Sequence, residues 1–272
     1  MEDVEKLDAG VIALAMPAAV RNAFDVRVVA ATGSTNSDLL RNAATLASGA
    51  VLAAEHQSAG RGRRGRGWHA APGGGLMFSL LWAFPKGTGA LSGLSLAVGV
   101  AVARALEAAG APAVKLKWPN DLLVRRGEGF AKLGGILIEL AGAANGAAHA
   151  VIGVGVNVDL GGAAACIDQP ATDLKTLGLG QTRNALLALL LEHLLAILRT
   201  FERSGFAELS EEWNLRHAYA GHNVILTGEG STSVEGIATG VDASGALLLQ
   251  TRHGRQKVVS GEVSLRPAPV LT

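Results

Sequence analysis

Eight consecutive residues, Gly60-Arg61-Gly62-Arg63-Arg64-Gly65-Arg66-Gly67, hold four glycines and four arginines. Glycine loses more backbone entropy on ordering than any other residue, and arginines this close repel, so a regular helix or strand through them is disfavoured. The flanks behave differently. Val51 to Gln57 reads as a strand feeding directly into the segment, and after Pro72-Gly73-Gly74-Gly75 the apolar run Leu76 to Phe84 reads as a buried strand. The chain must pass here from strand to loop to strand, and the loop weakens the free protein. Glycines let a backbone wrap a ligand, and guanidinium forks pair with phosphate or carboxylate oxygens, so the loop is expected to wait for an anion. Three readings stay open: a phosphate-gripping loop of an enzyme, a nucleic-acid-binding Arg/Gly segment, or a solvated basic loop.

Spacing and composition remove several classes. Gly60-x-Gly62-x-x-Gly65 matches the dinucleotide fingerprint and follows a strand, but it does not open the helix whose N-terminus would hold a pyrophosphate. No Gly-Lys-Ser/Thr triplet supplies a Walker loop, and no Gly-x-Ser-x-Gly elbow nominates a serine hydrolase. The seven histidines are scattered and Cys166 is the only cysteine, which argues against a metal cage and excludes an internal disulfide. A formal charge of +1 means that no global field recruits a polyanion, so the basic character is local. The start, Met1-Glu2-Asp3, lacks a secretory pattern, and the apolar run Ala185 to Leu198 is interrupted by Glu192-His193 and short of the roughly 20 residues that span a bilayer. These features predict a soluble cytoplasmic protein with no membrane partner.

Along the chain, the first two dozen residues suit a short helix ending near Pro17 and carry no chemical motif. Val26 to Ala31 predicts a strand, and Gly33-Ser34-Thr35-Asn36-Ser37 can cap a helix from Ser37 to Ala47. Ala90 to Ala109 predicts an apolar helix. Val114-Lys115-Leu116-Lys117-Trp118 alternates with period two and is broken by Pro119-Asn120-Asp121. Leu122 to Arg125 and Leu133 to Leu140 predict a hairpin. On the next strand, His149 to Asp159, Ile152, Val154, Val156 and Val158 share one face while Gly153, Gly155 and Asn157 share the other, leaving room for something flat, or relieving crowding against another element. Helices follow over Thr182 to Arg203 and Phe206 to His217. Beyond Gly221 the texture turns to short runs separated by Gly, Ser and Asp, with the spacing of a small β-barrel.

The polar set left at strand ends carries a resemblance. Gly33-Ser34-Thr35-Asn36, Gln57 through Trp68, Lys117-Trp118-Pro119-Asn120-Asp121, Lys132-Leu133-Gly134-Gly135-Ile136-Leu137, Gly153-x-Gly155-x-Asn157 and Gly261-Glu262-x-Ser264-Leu265-Arg266 resemble, in order and spacing over roughly residues 26 to 267, the biotin protein ligase family. The resemblance implies an α+β fold: a mixed-sheet catalytic domain with packed helices over residues 26–221, after an N-terminal extension of 1–25, followed by a small SH3-like β-barrel over 222–272. It implies ATP-dependent activation of biotin as biotinyl-5'-AMP and its transfer to a lysine of a biotin carboxyl carrier protein, with Mg²⁺ accompanying ATP and no metal ligand assigned to the protein.

Matched by position, Ser34, Thr35, Asn36, Gln57, Arg61, Gly62, Arg63, Lys132 and Gly135 would contact biotin. Arg63, Arg66, Trp68, Lys132 and Asn157 would contact the nucleotide, and Arg63, Lys132 and Asp121 would act in catalysis, Asp121 by positioning the metal or the incoming amine. Lys117 could meet the nucleotide or face water. Only 33 residues precede Ser34, too few for the DNA-binding domain that some members carry, so no specific DNA binding is expected. Family members occur as monomers and as dimers joined through sheet edges, which makes a homodimer a possible state. A lipoate ligase of the same superfamily is the nearest alternative.

Overall fold

The computed structural model describes residues 5–144, 146–161, 167, 169–228, 233–259 and 263–267. Cys166, Gly261 and Glu262 lie outside them. In chain order the elements are α1 (Ala9–Ala15), α2 (Ala18–Arg21), β1 (Asp25–Thr32), α3 (Thr35–Asn42), β2 (Ala50–Gln57), β3 (Gly75–Phe84), α4 (Leu94–Ala108), β4 (Val114–Lys117), β5 (Asp121–Arg126), β6 (Gly129–Ala144), β7 (Ala147–Asn157), α5 (Arg183–Ser204) and α6 (Ser210–Arg216), then β8 (Asn223–Gly228), β9 (Val234–Val241), β10 (Leu247–Thr251), β11 (Gly254–Val258) and β12 (Val263–Pro267).

The first seven strands form one sheet in the order β1-β2-β3-β7-β6-β5-β4. β1 and β2 are parallel, which requires a crossover, and α3 supplies it; the other neighbours are antiparallel. The alternation along β7 decides the layers. Ile152, Val154 and Val156 point into the main core with Phe78 and Leu80 of β3 and the apolar faces of α4 and α5. On the opposite face a smaller cluster joins Leu39 and Ala43 of the α3 region to Leu81 and Val151. One sheet face is thus sealed by two long helices, whereas among the described residues the other carries a single helix, the short α3, which leaves part of it uncovered for a site.

Most predicted elements agree with the observed ones to within a few residues. α3 is the exception: it begins at Thr35 and stops at Asn42, because Ser34 is the cap and accepts from the Ser37 amide. The residues after it are drawn into turns that dock on β3, where the Ala83 amide donates to Ser48 Oγ. α5, at 22 residues, is long and apolar enough to cross a bilayer, yet Leu186, Leu187, Leu190, Leu191, Leu194 and Leu198 are buried in the main core. It is a core helix here.

β8 to β12 form a separate antiparallel sheet, ordered β11-β10-β9-β8-β12. Among the described residues no pairing joins β11 to β12, so the expected barrel is an open sheet with a bulge at Leu248/Leu249. This unit is not loosely tethered. Asn214 of α6 bonds both ways with Val241 of β9 (3.1 and 2.8 Å), and the α6 segment is itself anchored to the first sheet, where Ala218 N donates to Leu116 O on edge strand β4 (2.9 Å) and Arg216 pairs with Glu107 of α4 (2.6 Å).

Candidate active site

The uncovered sheet face is a cleft of ≈ 350 Å³, within the range of small-molecule sites. Chain segments far apart in sequence build it. The cap of α3 supplies Ser34, Thr35 and Asn36, all buried. Gln57, at the end of β2, accepts the Thr35 amide through Oε1 at 2.7 Å, so the loop after β1 is clamped to the neighbouring strand. Thr35 Oγ1 and Ser79 Oγ share a hydrogen bond of 2.7 Å, and Ser79 Oγ donates to Asn36 Oδ1. Asn36 Nδ2 donates to Glu139 Oε2 at 2.9 Å, and Arg61 pairs with the same carboxylate oxygen at 2.8 Å.

Ser79 and Glu139 escaped the motif reading. Each had a signal in the chain, a lone hydroxyl within the apolar run Leu76 to Phe84 and a lone carboxylate within Ile136 to Leu140. A buried polar group needs partners, so polar exceptions on a core strand mark a polar surface.

The loop over this floor is a compact hairpin. Arg61 and Gly67 face each other across an isolated bridge, the Gly62 amide donates to Arg66 O (2.7 Å), and the Trp68 amide donates to Gly60 O (2.8 Å). At its tip a single 3₁₀ turn, Arg63 to Gly65, puts Arg64 at φ 60°, a left-handed conformation that few residues other than glycine adopt without strain. Arg61, Arg64 and Arg66 are exposed and Arg63 is half-buried.

The glycine face of β7 is occupied from within the chain. A Cβ on Gly155 would lie 2.7 Å from the Trp68 indole, and one on Gly153 would lie 2.3 Å from Asn36 Oδ1. Of the two uses open to those glycines, close approach by another element is realised in this structure, and the flat group against the sheet is the Trp68 ring. Trp68 Nε1 is buried with no hydrogen-bond partner among the described residues, and Lys132 Nζ sits 5.8 Å from the ring centroid.

At the other end of the cleft lies a three-charge cluster. Lys132 Nζ is 2.6 Å from Asp121 Oδ1, and Lys117 Nζ is 3.3 Å from Asp121 Oδ2. The three side chains are only 14–17 % exposed, so Lys117 faces the cluster rather than water. Burial pushes the Asp121 carboxyl up, but the ammonium groups of Lys132 and Lys117 outweigh it and hold the carboxyl below the usual range. Asn157, at the end of β7, gives its amide hydrogens to Thr172 O (3.0 Å) and Lys132 O (3.3 Å). Tyr219 packs edge-on against Phe130, 5.6 Å between centroids; burial and the Asp121 charge raise its phenol pKa.

The structure therefore brings together the residues expected to contact biotin or nucleotide or to act in catalysis: Ser34, Thr35, Asn36, Gln57, Arg61, Gly62, Arg63, Arg66, Trp68, Asp121, Lys132, Gly135 and Asn157 all line one cleft, with Lys117 behind Asp121. Asp121 is the only carboxylate among the described lining residues, and both its oxygens are engaged by lysines. No group of three or more potential metal-binding side chains occurs among the described residues. A protein-held magnesium cage does not fit this donor set.

A mixed sheet with cap, arginine loop and lysine–carboxylate cluster on one face, followed by a small β unit, defines the class. The family model described as biotin/lipoate A/B protein ligase matches residues 28–157, and that described as biotin protein ligase C-terminal domain matches 219–266. A biotin–[acetyl-CoA-carboxylase] ligase of Mycobacterium tuberculosis is 40% identical over 240 residues, 86% of this chain and 85% of the relative. The bifunctional ligase/repressor BirA of Escherichia coli is 38% identical over 244 residues, 89% and 74% of the two chains. The structure of the Aquifex aeolicus biotin protein ligase in complex with biotin and ATP superposes with a TM-score of 0.77 at 30% identity, over 90% of this chain and 99% of that one. The chain belongs to the biotin protein ligase family.

Proposed function

We propose that the protein activates biotin with ATP as biotinyl-5'-AMP, releasing pyrophosphate, and then transfers biotin to a specific lysine of a biotin carboxyl carrier protein, releasing AMP. The observation that carries this reading is the meeting, in one cleft, of a buried hydroxyl and amide set at one end with the Lys132–Asp121 pair at the other. A cyclic urea needs donors for its carbonyl and acceptors for its N–H groups. Ser34, Thr35, Asn36 and Gln57 offer both. The valerate chain then runs toward Lys132.

Carboxylate oxygen is a poor leaving group, so amide formation needs prior activation. The biotin carboxylate attacks the α-phosphorus and pyrophosphate leaves, which requires two anions to meet. Lys132 and Arg63 offset that repulsion and stabilise the charge spread over the transition state. ATP enters as its Mg²⁺ complex, the metal being held by phosphates and water. Arg66 and Trp68 lie on the nucleotide side. Asn157, whose N–H groups are taken by backbone carbonyls, offers its carbonyl to the exocyclic amine of adenine. In the second step the neutral ε-amine of the carrier lysine attacks the acyl carbonyl, and Asp121 orients Lys132 and the incoming amine. The arginine loop, with Arg61, Gly62 and Arg63 over the intermediate, excludes water from the mixed anhydride. Residues 26–221 form the catalytic domain and 222–272 the C-terminal unit, with 1–25 as an extension.

The test is incubation with ATP, Mg²⁺, biotin and a carrier domain, read by the mass of the product. A gain equal to biotin minus water is expected. A gain with lipoate in its place would overturn the substrate.

A further inference from the structure

The turn that carries Asp121 is held by the C-terminal unit. Trp118, 1% exposed, donates its indole Nε1–H to Gly245 O at 3.1 Å, across 127 residues of chain. Gly245 lies in the β9–β10 turn and is at φ +82°; a Cβ there would stand 2.7 Å from Gly93 Cα and 3.1 Å from Leu96 Cδ1. The approach leaves no room for a side chain. Next to it, Ser92 Oγ donates to Ser244 O at 2.6 Å. The turn has a fixed shape, because Asp242 Oδ1 accepts from Ser244 N (2.8 Å), Ser244 Oγ (2.7 Å) and Ala246 N (3.1 Å).

The segment from Trp118 to Asp121 is pinned on its other sides too. Ser95 Oγ on α4 donates to Pro119 O (3.0 Å), and Asn120 exchanges bonds with Ile136 of β6: its Nδ2 donates to Ile136 O (2.9 Å) and the Ile136 amide donates to its carbonyl (3.0 Å). Three residues beyond Trp118, Asp121 holds Lys132. Among the described residues one side-chain bond comes to this segment from the C-terminal unit, and Trp118 makes it.

We infer that Trp118 is a positioning residue through which the C-terminal unit fixes Asp121, and with it Lys132, at the geometry that adenylation needs. This rests on the ligase reading above. The C-terminal unit is in that case part of the active site's support. Substituting W118F keeps an aromatic ring in the core, removes the N–H and leaves Gly245 O buried without its partner.

The experiment measures steady-state pyrophosphate release by the full chain, wild type against W118F, and repeats W118F in a D121N background. A kcat lowered about tenfold is expected, the order set by one buried hydrogen bond, with the KM for biotin within about twofold. In D121N the added W118F should cost little, because two residues acting through one element are not additive. A W118F kcat within about twofold of wild type, or a full additive loss in D121N, overturns the inference. If W118F does not fold, S92A loosens the same turn without touching Trp118 and is expected to lower kcat about threefold at unchanged biotin KM; no change in S92A overturns the inference. A wild type that releases no pyrophosphate with biotin and ATP defeats the ligase reading itself, whereas an active wild type with indifferent variants defeats only this step.

Discussion

The arginine loop and the Asp121 cluster present positive charge to the same cleft by opposite means. The loop is an exposed hairpin closed by a few of its own backbone bonds, and Arg61 reaches Glu139 from a side chain that is 42% exposed. The lysines sit on β4 and β6, 14–17% exposed, on either side of one carboxylate. An exposed ion pair contributes little to stability and is easily exchanged for a ligand. A buried cluster on rigid strands is preorganised, since removing one member would strand the others. On the function proposed above, the difference gives the cluster the larger share of the chemistry and gives the loop, beside the smaller share of Arg63, retention of the intermediate.

That contrast can be broken by experiment. The largest effect is expected from K132A, which should lower adenylation by roughly 3 kcal/mol, the scale of one strong transition-state contact, and pyrophosphate exchange at the wild-type rate would remove Lys132 from the chemistry. R63G should leave adenylation more nearly intact but release biotinyl-AMP faster by about 2 kcal/mol, the loss of a charge-assisted contact, seen in a release assay. If R63G instead abolishes adenylation, the division between loop and cluster fails. G155A should push the Trp68 ring from the sheet and weaken nucleotide binding by about 1–2 kcal/mol, measured by calorimetry, with biotin binding unaltered.

The smallest effects concern pH. Asp121 has its folded carboxyl pKa lowered, so the stability it contributes is present above the ordinary carboxylate range and is lost as pH falls through the lowered folded value. His217 is held down to about 4 by burial, with His222 adding to the effect, and its contribution is lost earlier, as pH falls from its ordinary value of 6.5 toward about 4. Melting curves of D121N and His217→Phe against pH should separate the two windows. R63G removes neither of these titrating groups and should leave both windows unchanged.

Much of the fold was legible in the chain. The β7 alternation indicated which face meets the helices, and the polar motifs at strand ends named the residues that line the cleft. Ser79 and Glu139 were passed over because a single polar residue in a core strand has no pattern of its own; its meaning lies in Asn36 and Arg61, tens of residues away. The helix after Ser34 was drawn too long for a related reason, since the competing turn is held by Ser48 against β3.

What the sequence determined by itself is local: a glycine and arginine run that disfavours regular structure, strands with period two, a cap at Ser34 and a break at Pro119. These depend on neighbours within a few residues, and backbone sterics and hydrogen-bond supply settle them. Tertiary structure decided the rest. It placed Trp68 on the face that Gly155 leaves open, set Asp121 between two lysines, and seated Gly245 under Trp118. Those outcomes depend on close packing and charge pairing between segments as much as 127 residues apart, where no local preference acts.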